Sequence, residues 1–220
     1  METLVTLKVS IVLPPIMEAK ERILLKAHEL FNRYGIRSVS MDDIAAQLGM
    51  SKKTLYQFYT DKDELVTAVF TGVMDNNKRD CGNNKLVAEN PIHEVFMAFD
   101  MMQELFANMN PSVLYDMEKY HSTCYRKFQE HKNGFMYQMI RNNIESGIEQ
   151  ELYRSEIDVD ILTRYRIHSI MLAFNPEVFP NNRNMIVHIE HQLLEHFLTG
   201  LATPKGLKLI QKYKIQRIKK

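Results

Sequence analysis

Apolar residues recur along this chain at steps of three and four, the period of an amphipathic helix rather than a strand. From Glu18 to Tyr34 the stripe is Ile23, Ala27, Leu30, Phe31 and Tyr34, and Gly35 stands where a helix C-terminus needs a residue free to take positive φ. Ile44, Ala45 and Leu48, then Leu55 and Phe58, mark two short helices meeting at Gly49, a helix-turn-helix pattern. Ser40 with Asp43 three residues on, and Ser51 ahead of Lys53 and Thr54, supply the N-cap hydroxyls that such helices start with. A longer connecting helix follows from Asp61 through Leu65, Val66, Val69, Phe70 and Val73, until polarity rises at Asp75 to Asp80. The Gly- and Asn-rich stretch from Cys81 to Pro91 predicts a loop or a frayed helix end.

Five more periodic segments come after it. Val95, Phe99, Met102, Phe106 and Met109 form one stripe, ended by Asn110-Pro111, and Leu114, Met117, His121, Cys124 and Phe128 form the next. Phe135, Met136, Met139, Ile140 and Ile144 carry a third, with two more over 158–174 and 185–201. The pattern predicts an all-α fold of about nine helices. Only residues 1–16 depart from it: Val5, Leu7, Val9, Ile11 and Leu13 alternate in a strand-like period, interrupted by Thr6, Lys8 and Ser10 and followed by no small-residue cleavage site. This stretch is expected to be a loose N-terminal extension, with a helix-turn-helix domain over 17–63 and a helical body over 64–220.

Charge narrows the partners. The 220 residues carry a net charge of +1, so no whole-protein basic field exists and any nucleic-acid affinity must come from a local patch. Between Met17 and Lys62 eight Lys and Arg face six acids, and three of the eight, Lys52, Lys53 and Lys62, lie at or just beyond the second short helix. With Leu55 and Phe58 turned inward, that helix offers Lys52, Lys53, Thr54, Tyr56 and Gln57, types that bind phosphate and read base edges in a major groove. The two cysteines, Cys81 and Cys124, have neither metal-site nor disulfide-framework spacing, as in a protein of the reducing cytoplasm.

Tyr34-Gly35, Ser40 to Ile44-Ala45, Gly49-Met50-Ser51, Thr54-Leu55-Tyr56 and Tyr59 to Leu65 resemble the DNA-binding domain of the tetracycline-repressor (TetR) family, densely over Lys20 to Val69. Thr203 to Leu207 is similar to the close of many members. The resemblance implies a three-helix DNA-binding head on a helical body that binds an effector and dimerises. It implies a cytoplasmic transcriptional repressor, released from a palindromic double-stranded operator by a small molecule and needing no cofactor. It places Ser40, Ser51, Lys52, Lys53, Thr54, Tyr56, Gln57 and Lys62 at the DNA. Phe58 departs from the pattern, since many members have a hydrogen-bonding histidine there.

Within the body the resemblance turns two apolar features into expectations. Methionines and aromatics cluster in successive helices of this Met-rich chain, with polar tips among them. The expected effector pocket comprises Phe99, Met102, Phe106, Met117, His121, Tyr125, Phe128, Met136, Tyr137 and Met139. The last two body helices are apolar over more than one face, which fits a central core or a four-helix dimer bundle. The family favours the bundle, with Ile170, Met171, Phe174, Ile189, Leu193, Leu194, Phe197 and Leu201 at the interface. His188, His191 and Glu195, with His196 beside them, have a spacing that can chelate zinc but equally suit a polar helix stripe, and no metal site is assigned. No nucleophile elbow or phosphate loop occurs, so no enzyme and no membrane partner is expected. The basic tail, Lys205 to Lys220, reads as a solvated helix end. A scaffold of the same fold that binds a protein partner and no small molecule is the competing account.

Overall fold

The computed structural model describes residues 19–107, 109–180 and 185–218, so the expectation for residues 1–16 lies outside the described residues. Among the described residues there are eleven α-helical segments: α1 (Ala19–Tyr34), α2 (Met41–Leu48), α3 (Lys52–Phe58), α4 (Lys62–Val87), α5 (Pro91–Ala107), α6 (Ser112–Tyr120), α7 (Ser122–His131), α8 (Tyr137–Glu149), α9 (Val159–Leu172), α10 (Ile186–Leu201) and α11 (Pro204–Ile218). A π-turn over Lys132–Met136 fuses α7 to α8. The only extended pairing among the described residues is a single antiparallel bridge between Tyr153 and Ala202.

The head closes as the local signals dictate. Ser40 Oγ accepts from Asp43 N at 3.1 Å while Asp43 Oδ2 accepts from Ser40 N at 2.8 Å, a reciprocal capping box for α2. Gly49 ends that helix at φ 65°, where a side chain would be strained, and Ser51 Oγ caps α3 by accepting from Thr54 N. Ile23, Ala27, Phe31, Ile44 and Leu55 meet in a core that runs without a break through α4 into Val113, Met117 and Cys124 of the body. A second core lies lower in the body, where Ile92, Phe96, Ile144, Ile167 and Leu198 pack together.

Four expectations are corrected here. The stretch from Cys81 to Pro91, expected as a loop or a frayed helix end, is helical through Val87, where α4 ends. Gly82 and Asn83 are outward and cost the helix about 1 kcal/mol or less each, while Met74, Asn77, Cys81 and Asn84 fall at helical steps on the side facing the body. That stripe is half polar, so apolar periodicity alone misses it. The stripe of Leu114 to Phe128 is not one helix: it breaks at His121, whose φ and ψ are −130° and 63°. Conversely, the helices expected to be separate on either side of residue 132 are joined by the π-turn.

The fourth correction concerns the tail. α11 is docked on the body rather than solvated: Ile210 and Tyr213 are buried, and the Tyr213 hydroxyl donates to Glu89 at 2.9 Å and accepts from Asn90 Nδ2 at 2.8 Å. Lys214 pairs with Glu195 at 2.5 Å, and Arg217 pairs with Asp100. Its positive charge is largely spent inside the chain.

Candidate functional site

α3 presents a polar face to solvent. Leu55 is fully buried and Phe58 is half-buried against the same core, which leaves Lys52, Lys53, Tyr56 and Gln57 exposed and Thr54 half-buried at the edge. Ser51 Oγ and Thr54 Oγ1 lie 2.8 Å apart, so both hydroxyls, like that of Ser40, already serve helix starts. Lys52 Nζ sits 2.7 Å from Asp42 Oδ1 and 5.9 Å from the centre of the Tyr56 ring. Asp42 raises the Lys52 pKa through this hydrogen bond. To reach a base, Lys52 must leave that carboxylate. Lys62 opens α4 half-buried; burial lowers its pKa, and the carboxylates of Asp116, Asp63 and Asp43 oppose that shift.

The body is hollow. A cavity of about 200 Å³ lies between α1, α4, α5, α6, α7, α8, α9 and α10. Phe99, Met102, Phe106 and Met117 of the expected pocket line it, as do Phe128, Met136 and Met139. His121, Tyr125 and Tyr137 do not. His121 is turned to the head, where its Nδ1 lies 2.5 Å from Asp63 Oδ1, and Tyr137 donates to Asp160 on the outer side of α9. Tyr125 packs beside Phe128 behind the wall.

Polar lining residues were missed because they are scattered along the sequence and only the fold brings them together. His131 Nε2 lies 3.2 Å from Asn77 Oδ1 across α4 and α7, and burial pushes its pKa down to about 4. Asn143 Nδ2 donates to Glu94 at 2.8 Å and to the Pro91 carbonyl at 2.9 Å. Arg166 donates to Glu190 Oε2 at 3.1 Å, linking α9 to α10 in a buried ion pair; burial raises the Glu190 pKa while Arg166 opposes it. Cys81 also lines the space, its thiol pushed up to about 11 by burial, so it is a neutral wall group at pH 7.

Packing within the single chain already buries five of the eight residues expected at the dimer interface. Leu194 is 4% exposed, Phe197 7% and Leu201 1%, and Phe174 and Ile189 are buried too. Leu194, Phe197, Phe174, Ile170 and Met171 line the cavity. The outward faces of α9 and α10 carry other residues: Ile161, Tyr165 and His168 on one, His188, Gln192 and His196 on the other. Leu193 is half-buried between the two faces. His191 packs on Phe99 and Glu195 holds Lys214, so the zinc-like spacing is split, and no group of three potential ligands converges among the described residues.

α6 joins α1 and α4 in touching both regions. On α6, Leu114 and Met117 line the cavity while Asp116 Oδ2 accepts from Arg37 N of the head at 3.0 Å. Asn110 N, just before it, donates to Asn32 O at 2.7 Å. Gly35, at φ 83°, lets this contact form, since a Cβ there would stand 2.6 Å from Ser112 Oγ.

With that geometry in view, sequence comparison identifies the head: residues 23–69 match the family of bacterial regulatory proteins described as the tetR family. That match spans the head alone and leaves the body outside it. The chain is 35% identical over 104 residues to the uncharacterized HTH-type transcriptional regulator YvaF of Bacillus subtilis, a match covering 46% of this chain and 53% of that relative. It is 26% identical over 145 residues to the HTH-type transcriptional repressor KstR2 of Mycobacterium tuberculosis, covering 63% of this chain and 71% of the repressor. The fold extends the likeness to the body. The structure of the ketosteroid transcriptional regulator KstR2 superposes with a TM-score of 0.62 at 18% identity, covering 86% of this chain and 97% of that one. A putative transcriptional regulator of Saccharomonospora viridis in complex with choline gives a TM-score of 0.67 at 18% identity over 84% of this chain and 98% of the other. No described helix is long and apolar enough to cross a membrane.

Proposed function

We propose that the protein is a cytoplasmic, homodimeric transcriptional repressor that binds a palindromic operator through α3 and leaves it when a small molecule fills the cavity. The observation that carries this reading is α6, whose Leu114 and Met117 face the cavity while its Asp116 holds the backbone of Arg37. A molecule displacing that wall displaces the contact, and α4, which lines the same cavity and begins at Lys62, moves the head with it. Such a molecule shifts the equilibrium only by its preference for the released state over the DNA-bound one.

On the DNA side, Lys52 and Gln57 would read base edges, with Tyr56, Thr54 and Lys53 at base or phosphate positions. Ser40 and Ser51 would act as capping residues that aim the helices, and Lys62 would bring positive charge to the start of α4 beside the backbone. The second copy would dock on the outward face of α9 and α10, around Tyr165 and Gln192, placing two α3 helices for successive major grooves. Support for these roles comes from the family match of the head and the exposure of the residues named.

The test is a thermal-shift screen of lipophilic compounds followed by anisotropy with operator DNA. The repressor reading expects compounds that raise the melting temperature also to weaken DNA binding. Stabilising compounds that leave DNA affinity untouched would favour a scaffold instead.

A further inference from the structure

Two cations crowd one exposed ring where the body meets the head. The Arg37 guanidinium stands 5.3 Å from the centre of the Tyr120 ring, and the Lys119 ammonium stands 5.7 Å from the same centre. Lys119 also lies 5.3 Å from the centre of the Tyr115 ring and donates to its hydroxyl at 2.8 Å. All four residues are exposed. The hydrogen bond to Tyr115 raises the Lys119 pKa while the charge of Arg37 opposes that shift, so the two cations repel each other across the ring. Neither makes an ion pair among the described residues. The carboxylates nearest in sequence are committed elsewhere: Asp116 accepts from the Arg37 backbone at 3.0 Å, and Glu118 bonds Tyr125. Like charges held together on an aromatic platform, with no carboxylate of their own, suit an anion.

The backbone sets this cluster beside the DNA-binding elements. Val39 N donates to Ile36 O at 3.3 Å, closing a turn with Arg37 and Ser38 at its exposed tip and with Ile36 and Val39 buried in the head core. Ser40, the N-cap of α2, follows Arg37 by three residues, which span at most about 11 Å. Asp116, which holds the Arg37 backbone, is also the carboxylate that most strongly opposes the burial shift of Lys62, so the start of α4 is close to α6. The cluster thus adjoins two helix starts that the operator reading lays against the DNA backbone.

We propose, resting on the operator reading, that Arg37, Lys119 and the Tyr115 hydroxyl form a second DNA contact outside the helix-turn-helix, holding backbone phosphates of the duplex that α3 reads. The guanidinium can take a phosphate through two parallel N–H bonds and the ammonium can take one as a point charge. The Tyr115 oxygen accepts from Lys119, which leaves its own proton to donate. A duplex carries a charge about every 1.7 Å of axis, so contact at the starts of α2 and α4 brings further phosphates to the neighbouring patch. That adjacency selects DNA over an acidic protein as the occupant. Phosphate contacts add affinity and register without base preference. Because Leu114 and Met117 line the cavity from the same helix, α6 carries a DNA contact on one face and a cavity wall on the other.

The experiment is anisotropy titration of the full-length protein, over a series of salt concentrations, against a duplex carrying the palindrome it selects and against a random duplex. In a dimer each substitution removes two phosphate contacts, so Arg37→Gln and Lys119→Gln should each make the salt slope shallower by about two units. Affinity should fall about tenfold for both duplexes at physiological salt, with the selected sequence unchanged. Lys85→Gln removes the same charge about 35 Å along α4 from Lys62 and should keep the wild-type slope. All three positions are exposed, melting curves check the fold of each variant, and either of the first two tests the contact without the other. An unchanged slope in the folded variants would overturn the second contact and leave the patch to an acidic protein partner, and a change that Lys85→Gln reproduces would reduce it to net charge. Either result leaves the operator reading standing. Wild-type protein that binds neither duplex would end that reading and the second contact together.

Discussion

His121 Nδ1 lies 2.5 Å from Asp63 Oδ1, so the break between α6 and α7 is tied by a side chain to the first turn of the helix that leaves the DNA head. The imidazole is 7% exposed and the carboxylate lies largely in solvent. Breaking this tie without opening a void isolates its role in coupling. His121→Phe should leave DNA affinity within about threefold of the wild type and reduce effector-driven release by about five- to tenfold, the size of a typical coupling energy. Anisotropy titrations with and without effector read both numbers, and a variant that releases normally would remove His121 from the coupling path.

Burial within the chain and burial between chains predict different phenotypes. Leu194→Glu puts an unpaired charge into the cavity wall and should cost several kcal/mol, so its melting transition should collapse or disappear. Tyr165, 45% exposed, and Ile161, 61% exposed, tolerate a charge in the single chain. Tyr165→Glu should therefore yield a folded monomer by sedimentation, with a helical spectrum like the wild type's. A folded Tyr165→Glu dimer would move the interface elsewhere.

His131 gives the fold a pH dependence of known sign. Its pKa is held near 4 when folded against 6.5 when exposed, so the unfolded chain takes up a proton that the folded chain refuses. The stabilisation is complete above about pH 6.5 and is lost as the pH falls toward 4, by roughly 2 to 3 kcal/mol. His131→Phe should lose less stability than the wild type between about pH 7 and pH 4.5 in urea titrations. Parallel pH profiles would show that the ring is not held neutral by burial.

If Lys52 contacts DNA as proposed, Asp42 competes with the DNA for it. The pair is exposed and contributes little to stability, and on the proposed reading its carboxylate would repel the phosphates of a bound duplex. Asp42→Asn should tighten binding to all duplexes by about two- to tenfold and leave the preferred sequence unchanged, read by anisotropy at fixed salt. Weaker binding would mean that Asp42 orients Lys52 for its contact.

The head was legible because its determinants are local. Ser40 needs only Asp43, and Gly35 and Gly49 need only their own φ, so spacing in the sequence carries the geometry. The body was legible in its helices and less so in its use of them. His121 sits at the right step in an apolar stripe, and nothing in that stripe reveals a chain break that turns the ring toward Asp63. Leu194 and Phe197 are apolar for a reason that sequence cannot assign, since a cavity wall and a dimer seam demand the same residue types. Arg166 and Glu190 are 24 residues apart on different helices, and a pair of that kind exists only once the helices are packed.

The central claim, that α3 reads a palindromic operator, is tested most directly by selection of random duplexes with the wild type and with Gln57→Ala. The wild type should select two inverted half-sites, because a two-fold dimer places two α3 helices in successive major grooves. Gln57→Ala should lose preference at one base pair in each half-site, by about 1 to 3 kcal/mol of discrimination, and keep the rest. Selection of no sequence by the wild type would contradict the account outright, and an unchanged motif with uniformly weaker binding would assign Gln57 to the phosphate backbone.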